Sequence, residues 1–132
     1  MNAIETGLYS KLANTSALTT ALGGTAIYSR HAPQGTARPY VVFMHAGGGH
    51  ENINPSNLQN HVYLVKAVSD GSKEAGTIDG HISTALHKQT LTVSGFTNFS
   101  TQRENEVQVT ENTREGVAVY HTGAYYRIRI DD

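Results

Sequence analysis

Seven histidines, His31, His45, His50, His61, His81, His87 and His121, are the side chains best suited to chemistry. Imidazole binds metals and exchanges a proton near neutral pH. His45 and His50 bracket the run Gly47-Gly48-Gly49. His50-Glu51 opens like the His-Glu-x-x-His helix of zinc proteases, in which two histidines one turn apart hold the metal. Position 54 is Asn54, and the stretch reads as a loop, so the motif fails on residue and on context. His45 and His61 end facing strands, which leaves open the convergence of three histidines. No spacing among the seven is ligand-like. Surface or sheet-edge histidines are the simpler reading, and neither a metal nor a cofactor is expected.

Other chemistries fare no better. Ala46-Gly47-Gly48-Gly49 lacks the Gly-Lys-Ser/Thr of a phosphate loop, and no helix start follows it. No Gly-x-Ser-x-Gly turn is present to raise a serine nucleophile. Glu104, Glu106 and Glu111 are spread along a charged hairpin, where paired catalytic carboxylates need a cleft. With no cysteine, disulfides and thiolate chemistry are excluded. Asn14-Thr15-Ser16 and Asn98-Phe99-Ser100 match the glycosylation pattern, without a secretion signal to give it meaning. The seven tyrosines are more informative: Tyr28, Tyr40, Tyr63, Tyr120, Tyr125 and Tyr126 fall on expected strands. Sheet propensity explains them, and subunit contact explains them too. Catalytic residues are expected to be none.

The chain has 132 residues, enough for one self-sufficient domain over 1–132. Ten Lys and Arg against eleven Asp and Glu give a net charge of −1, without the basic excess of a protein that grips nucleic acid. No apolar run approaches the roughly 18 residues of a membrane span, and the first residues lack the basic-then-apolar pattern of a signal peptide. Synthesis and residence in the cytoplasm are therefore expected until something carries the protein elsewhere.

Two apolar segments must position whatever the chain does, Pro39–His45 and His61–Val68. Each is rich in β-branched and aromatic residues, and in each both alternating sets are largely apolar, which predicts central strands covered on both sides. Between them Ala46–Asn60 reads as a long mobile loop. Ile4, Leu8 and Leu12 predict a helix over 3–13, and Ser16 is placed to cap a short one over Ala17–Leu22, closed by Gly23-Gly24. Ala75, Ile78, Ile82, Ala85 and Leu86 share one face of a helix over 72–88, with Ser72 as its cap and Asp79 on the polar side. Strands are expected at 26–29, 91–93, 98–103, 106–111 and 117–130, with a turn at Asn112–Gly116 and a bulge at Gly123. The result is an α+β domain. Two main helices pack on a mostly antiparallel sheet, with a long loop between the central strands.

The run Leu18-Thr19-Thr20-Ala21-Leu22-Gly23-Gly24 into Ile27-Tyr28, the segment His31-Ala32-Pro33-Gln34-Gly35-Thr36-Ala37-Arg38-Pro39-Tyr40-Val41-Val42-Phe43, and the closing Tyr120-His121-Thr122-Gly123-Ala124-Tyr125-Tyr126 occur in this order along nearly the whole chain. With them the chain resembles the tail completion, or tail terminator, proteins of long non-contractile-tailed bacteriophages (siphophages) and gene-transfer particles. The resemblance implies a structural virion protein at the head-proximal end of the tail. It implies a ring, usually a homohexamer, that ends polymerisation of the tail tube protein and joins the tube to the head-tail connector or stopper. DNA would pass through the lumen without specific binding. No catalytic residue is implied. The exposed loops expected to meet neighbours carry His31, Pro33, Gln34, Gly35 and Arg38 before the first central strand, and Gly47, Gly48, Gly49, His50, Glu51 and Asn52 after it. A head-side connector adaptor or stopper is the alternative within the same class. A small histidine-dependent metal enzyme is the alternative of another class.

Overall fold

The computed structural model describes residues 1–113 and 115–132. Three helices and six strands follow in the order α1 (Asn2–Ala13), α2 (Ser16–Leu22), β1 (Ile27–Ser29), β2 (Tyr40–His50), β3 (Gln59–Ser69), α3 (Ser72–Leu86), β4 (Thr92–Val93), β5 (Phe96–Asn112) and β6 (Ala118–Asp131). The strands form one sheet in the order β1-β2-β3-β6-β5-β4, in which β1 runs parallel to β2 and every other pairing is antiparallel. This is the expected α+β class.

The apolar periodicities decide what lies against what. Ile4, Leu8 and Leu12 of α1 are fully buried, as are Ile78, Ile82 and Leu86 of α3 and Leu18 of α2. They meet Val41 and Phe43 of β2, Tyr63, Val65 and Ala67 of β3, and Ala124, Tyr126, Ile128 and Ile130 of β6 in one core. α3 lies on β3 and β6, whereas α1 touches both edge strands, β1 and β4. The sheet therefore curls until its two edges flank α1. α2 ends as its glycines dictate: Gly23 takes φ 74°, and the N–H groups of Gly23 and Gly24 donate to the Thr20 and Thr19 carbonyls at 3.2 and 2.9 Å.

Several expectations are corrected. Burial on both faces holds only where Val41, Val42 and Phe43 sit together in β2, and at Val68 in β3. Along the rest of β3, Val62, Leu64 and Lys66 are half-exposed, because all three helices pack on the other face. The long loop is shorter than expected. Gly47–His50 pair with Gln59–Val62, so β2 and β3 continue as a projecting two-stranded arm whose tip is 51–58. The glycines serve this arm. The ladder slips one residue at Ala46, and Gly48 then takes φ 88°, where a Cβ would collide with the Asn60 carbonyl. The expected strands 98–103 and 106–111 are one strand, β5, whose register shifts at Phe99 and at Glu104-Asn105 rather than at Gly123. Gly123 stays in register, and any side chain there would strike Val65 and Lys66 on β3. Of the hairpin turn expected at 112–116, Arg114 lies outside the described residues; Thr113 N–H donates to the Val117 carbonyl at 3.0 Å.

The short helix α2 begins at Ser16 itself, with Thr15 as the extended residue before it and no side-chain cap. Likewise, Ser72 is the first residue of α3 and not its cap. The turn is closed one step earlier. The Ser69 hydroxyl accepts from the Gly71 N–H at 3.1 Å and donates to the Glu74 carboxylate. Asp79, expected on the solvent side of α3, is buried against β5. Its two carboxylate oxygens receive Arg103 Nη1 at 3.0 Å and Nη2 at 2.6 Å, and Arg103 Nη1 also donates to the Tyr126 hydroxyl at 2.7 Å.

Candidate functional site

The two groups of candidate contact residues sit at opposite ends of β2. His31, Pro33, Gln34, Gly35 and Arg38 are exposed in the connection between β1 and β2. Here the Thr36 hydroxyl donates to the Pro33 carbonyl at 2.5 Å, and Arg38 Nε donates to Asp70 Oδ1 at 2.6 Å, which ties the segment to the turn before α3. This pair is solvated, so it positions the loop at a worth of about 0.5 kcal/mol.

Gly47, Gly48, Gly49 and His50 lie on the arm, and Glu51 and Asn52 begin its tip. Glu51 N–H donates to the Leu58 carbonyl at 2.9 Å, and Ser56 Oγ donates to Asp131 Oδ2 at 3.2 Å, so both sides of the tip are anchored. Beside the arm lies an open hollow lined by Gly48 to Asn52, Asn60, Val62 and Arg127. Arg127 is fixed there by Asn60 Oδ1 at 2.9 Å and Glu104 Oε2 at 2.9 Å. From Tyr40 to Gly47 the strand rises roughly 23 Å at about 3.3 Å per residue. The structure therefore does not merge the two groups into one cleft. It holds them on two separate protruding surfaces.

The histidines converge only in part. His45 Nε2 and His61 Nδ1 are 3.1 Å apart, and His61 Nε2 is 2.8 Å from Gln59 Oε1. The arrangement reads as a relay in which His45 donates to His61 and His61 donates to the buried amide oxygen. In that arrangement the His61 ring is neutral, accepting at Nδ1 and donating from Nε2. Among the described residues no three His, Asp or Glu side chains gather as a metal site. His87 Nδ1 accepts the Arg103 N–H at 2.9 Å, a structural tie between the end of α3 and β5. Glu104 and Glu111 each pair on the hairpin surface, with Arg127 at 2.9 Å and His121 at 3.2 Å, and not with each other.

Burial pushes the His61 imidazole down from its ordinary value of 6.5, and the neighbouring His45 adds to the effect. The unfolded chain thus binds more protons than the folded one as pH falls through about 6.5, so stability drops with acidity in that range. Urea unfolding between pH 7.5 and 5.5 should show a decline that is smaller in His61→Gln; an equal decline in both proteins would place its origin elsewhere.

Sequence reasoning missed the exposed apolar side chains. Ile53 at the arm tip and Val109 on β5 are each 53% exposed, and Phe99 and Val117 are also exposed. Ile53 could have been found as one of only two large apolar residues, with Leu58, in the polar stretch 46–60. The tyrosines divide: Tyr63 and Tyr126 are fully buried, whereas Tyr28, Tyr40, Tyr120 and Tyr125 keep one side open. No helix among the described residues is long and apolar enough to cross a membrane.

The family model for tail completion protein gp17 matches residues 6–131. The chain belongs to that family. It is thus a structural protein of the phage tail. Its fold is shared with a chain in the virion of a native gene transfer agent particle, at a TM-score of 0.79 and 17% identity over 99% of this chain and 96% of that one. A second solved chain aligns at a TM-score of 0.57 and 14% identity over 96% of this chain and 94% of its own. At these identities the likeness is one of fold. No curated protein matches in sequence.

Proposed function

We propose that this tail completion protein forms a ring, a homohexamer, that caps the head-proximal end of a siphophage tail tube. The ring ends addition of tube protein and offers its other surface to the head-tail connector or stopper. DNA passes through the lumen, where a net charge of −1 per subunit favours sliding over binding. The whole of 1–132 acts as one domain, and its role is assembly rather than catalysis. It works in the virion after assembly in the host cytoplasm.

The observation that carries this reading is family membership across residues 6–131. The geometry supports it. A subunit that touches neighbours on two sides needs separated contact surfaces, and this one presents the 31–38 segment and the arm at opposite ends of one rigid strand. Electron micrographs of the purified full-length chain, with its mass by light scattering, test the ring. Closed rings near six times the 14.3 kDa subunit are expected, and a monomer at all concentrations would contradict the proposal. Labelling the chain in intact particles distinguishes a position on the tube from the head-side adaptor position.

A further inference from the structure

On the face of the sheet that carries no helix, β3 and the outer half of the β5–β6 hairpin enclose a second hollow. It is lined by Leu64, Lys66, Val107, Val109, Glu111 and His121. Alternation places these residues there: Tyr63, Val65 and Ala67 point into the helix-side core, so Leu64 and Lys66 point away from it. Three features set this hollow apart from ordinary surface. Leu64, Val107 and Val109 are apolar yet uncovered, with Val109 53% exposed. Lys66 is half-buried among them and, among the described residues, makes no ion pair. His121 Nδ1 is shut off from water and has no hydrogen-bond partner among the described residues, while Nε2 sits 3.2 Å from Glu111. A buried nitrogen without a partner is costly. Glu111 attracts Lys66 across the hollow but makes no ion-pair contact with it and is already 3.2 Å from His121 Nε2, so the half-buried ammonium still has room for a direct carboxylate partner.

The same chain carries a complementary shape elsewhere. At the arm tip Ile53 projects, 53% exposed, two residues after the exposed carboxylate of Glu51. The arm cannot reach the hollow of its own molecule. It is fixed in register up to His50 opposite Gln59, and Gln59 lies roughly 17 to 23 Å along β3 from Leu64 and Lys66, at about 3.3 Å per residue.

We infer that the arm tip of one copy docks in the β3/β5–β6 hollow of the next, with Ile53 against Leu64, Val107 and Val109 and Glu51 facing Lys66. Such a contact is head-to-tail, because the two surfaces differ, and head-to-tail contacts close into rings when the rotation per subunit permits. This rests on the ring proposed above and names the residues of the contact. Covering the hollow completes the burial that the apolar face of β3 lacks in a single copy. Burial depresses the ordinary Lys66 affinity for its proton, Glu111 offsets part of that, and a partner carboxylate in direct contact would offset more.

The absence of native cysteine makes a direct test available. Full-length Ile53→Cys and Val109→Cys chains are mixed and oxidised, and the cross-linked peptides are identified by mass spectrometry; Ser94→Cys, exposed on the β4–β5 turn, replaces Val109→Cys in the control. The 53–109 link is expected to dominate and the 53–94 link to be at background. In parallel, Lys66→Glu should abolish assembly and Glu51→Lys with Lys66→Glu should restore it, with circular dichroism reporting that each variant is folded. Rings in the unmodified protein without a 53–109 link would overturn the inference and leave the ring standing. A 53–109 link in a protein that never closes would uphold the contact and overturn the ring. Neither link nor ring overturns both.

Discussion

Val65→Asp is expected to yield no folded protein. Val65 is fully buried in β3, third in the sheet order, and its neighbours across the ladders are Phe43 on one side and Ala124 on the other. Its side chain belongs to the apolar core that β3 shares with α3. An unpaired charge in such a place costs more than a marginally stable domain of this size has in reserve. Expression should give insoluble or protease-sensitive chain, and circular dichroism on any soluble fraction should lack the native sheet signal. A soluble variant with cooperative unfolding would show that β3 is not the centre of the fold.

Asp79→Ala should be nearly as damaging, by about 3–5 kcal/mol, because it strands the Arg103 guanidinium. Both side chains are close to nine-tenths buried, at 12% and 10% exposure for Arg103 and Asp79. Hydrogen bonding to Asp79 holds the Arg103 pKa above its ordinary value, and burial raises that of the Tyr126 phenol. After truncation Arg103 would keep only the Tyr126 hydroxyl and Glu106, which is 3.6 Å away and largely solvated. The pair itself is worth much less than the cost of breaking it. Asp79→Leu with Arg103→Met should therefore recover most of the loss, since apolar groups of similar volume replace buried ion pairs at little cost. Urea unfolding of the two variants checks this. A loss below about 1 kcal/mol in Asp79→Ala would mean that the pair is not buried in solution.

The same two positions show what the sequence could and could not carry. Val65 lies in a run whose composition announces a strand, and Ile4, Leu8 and Leu12 announce a helix, because burial is written in periodicity. Asp79 was assigned to solvent because periodicity treats every charge as exposed; its partner lies 24 residues away on another element, and only tertiary structure joins them. Gly47–His50 failed for the opposite reason. Three glycines carry no strand propensity of their own, and their pairing comes from the register imposed by Asn60–Val62. The merging of two expected strands into β5 was hidden by the polar pair Glu104-Asn105, which forms a bulge rather than a turn. Of the candidate contact residues, sequence pattern puts both groups in loops flanking Pro39–His45, whereas Gly47–His50 extend β2 itself, and it misses Ile53 at the exposed tip. A lone exposed isoleucine has no period, so only its projection on an anchored arm marks it.

The central claim is that this protein ends the tail tube and joins it to the head. Electron micrographs of particles made without the protein test it most directly. Tails of uncontrolled length, unattached to filled heads, are expected, and adding back the purified full-length chain should restore joining to tubes of normal length. Virions of normal length and attachment in its absence would contradict the account.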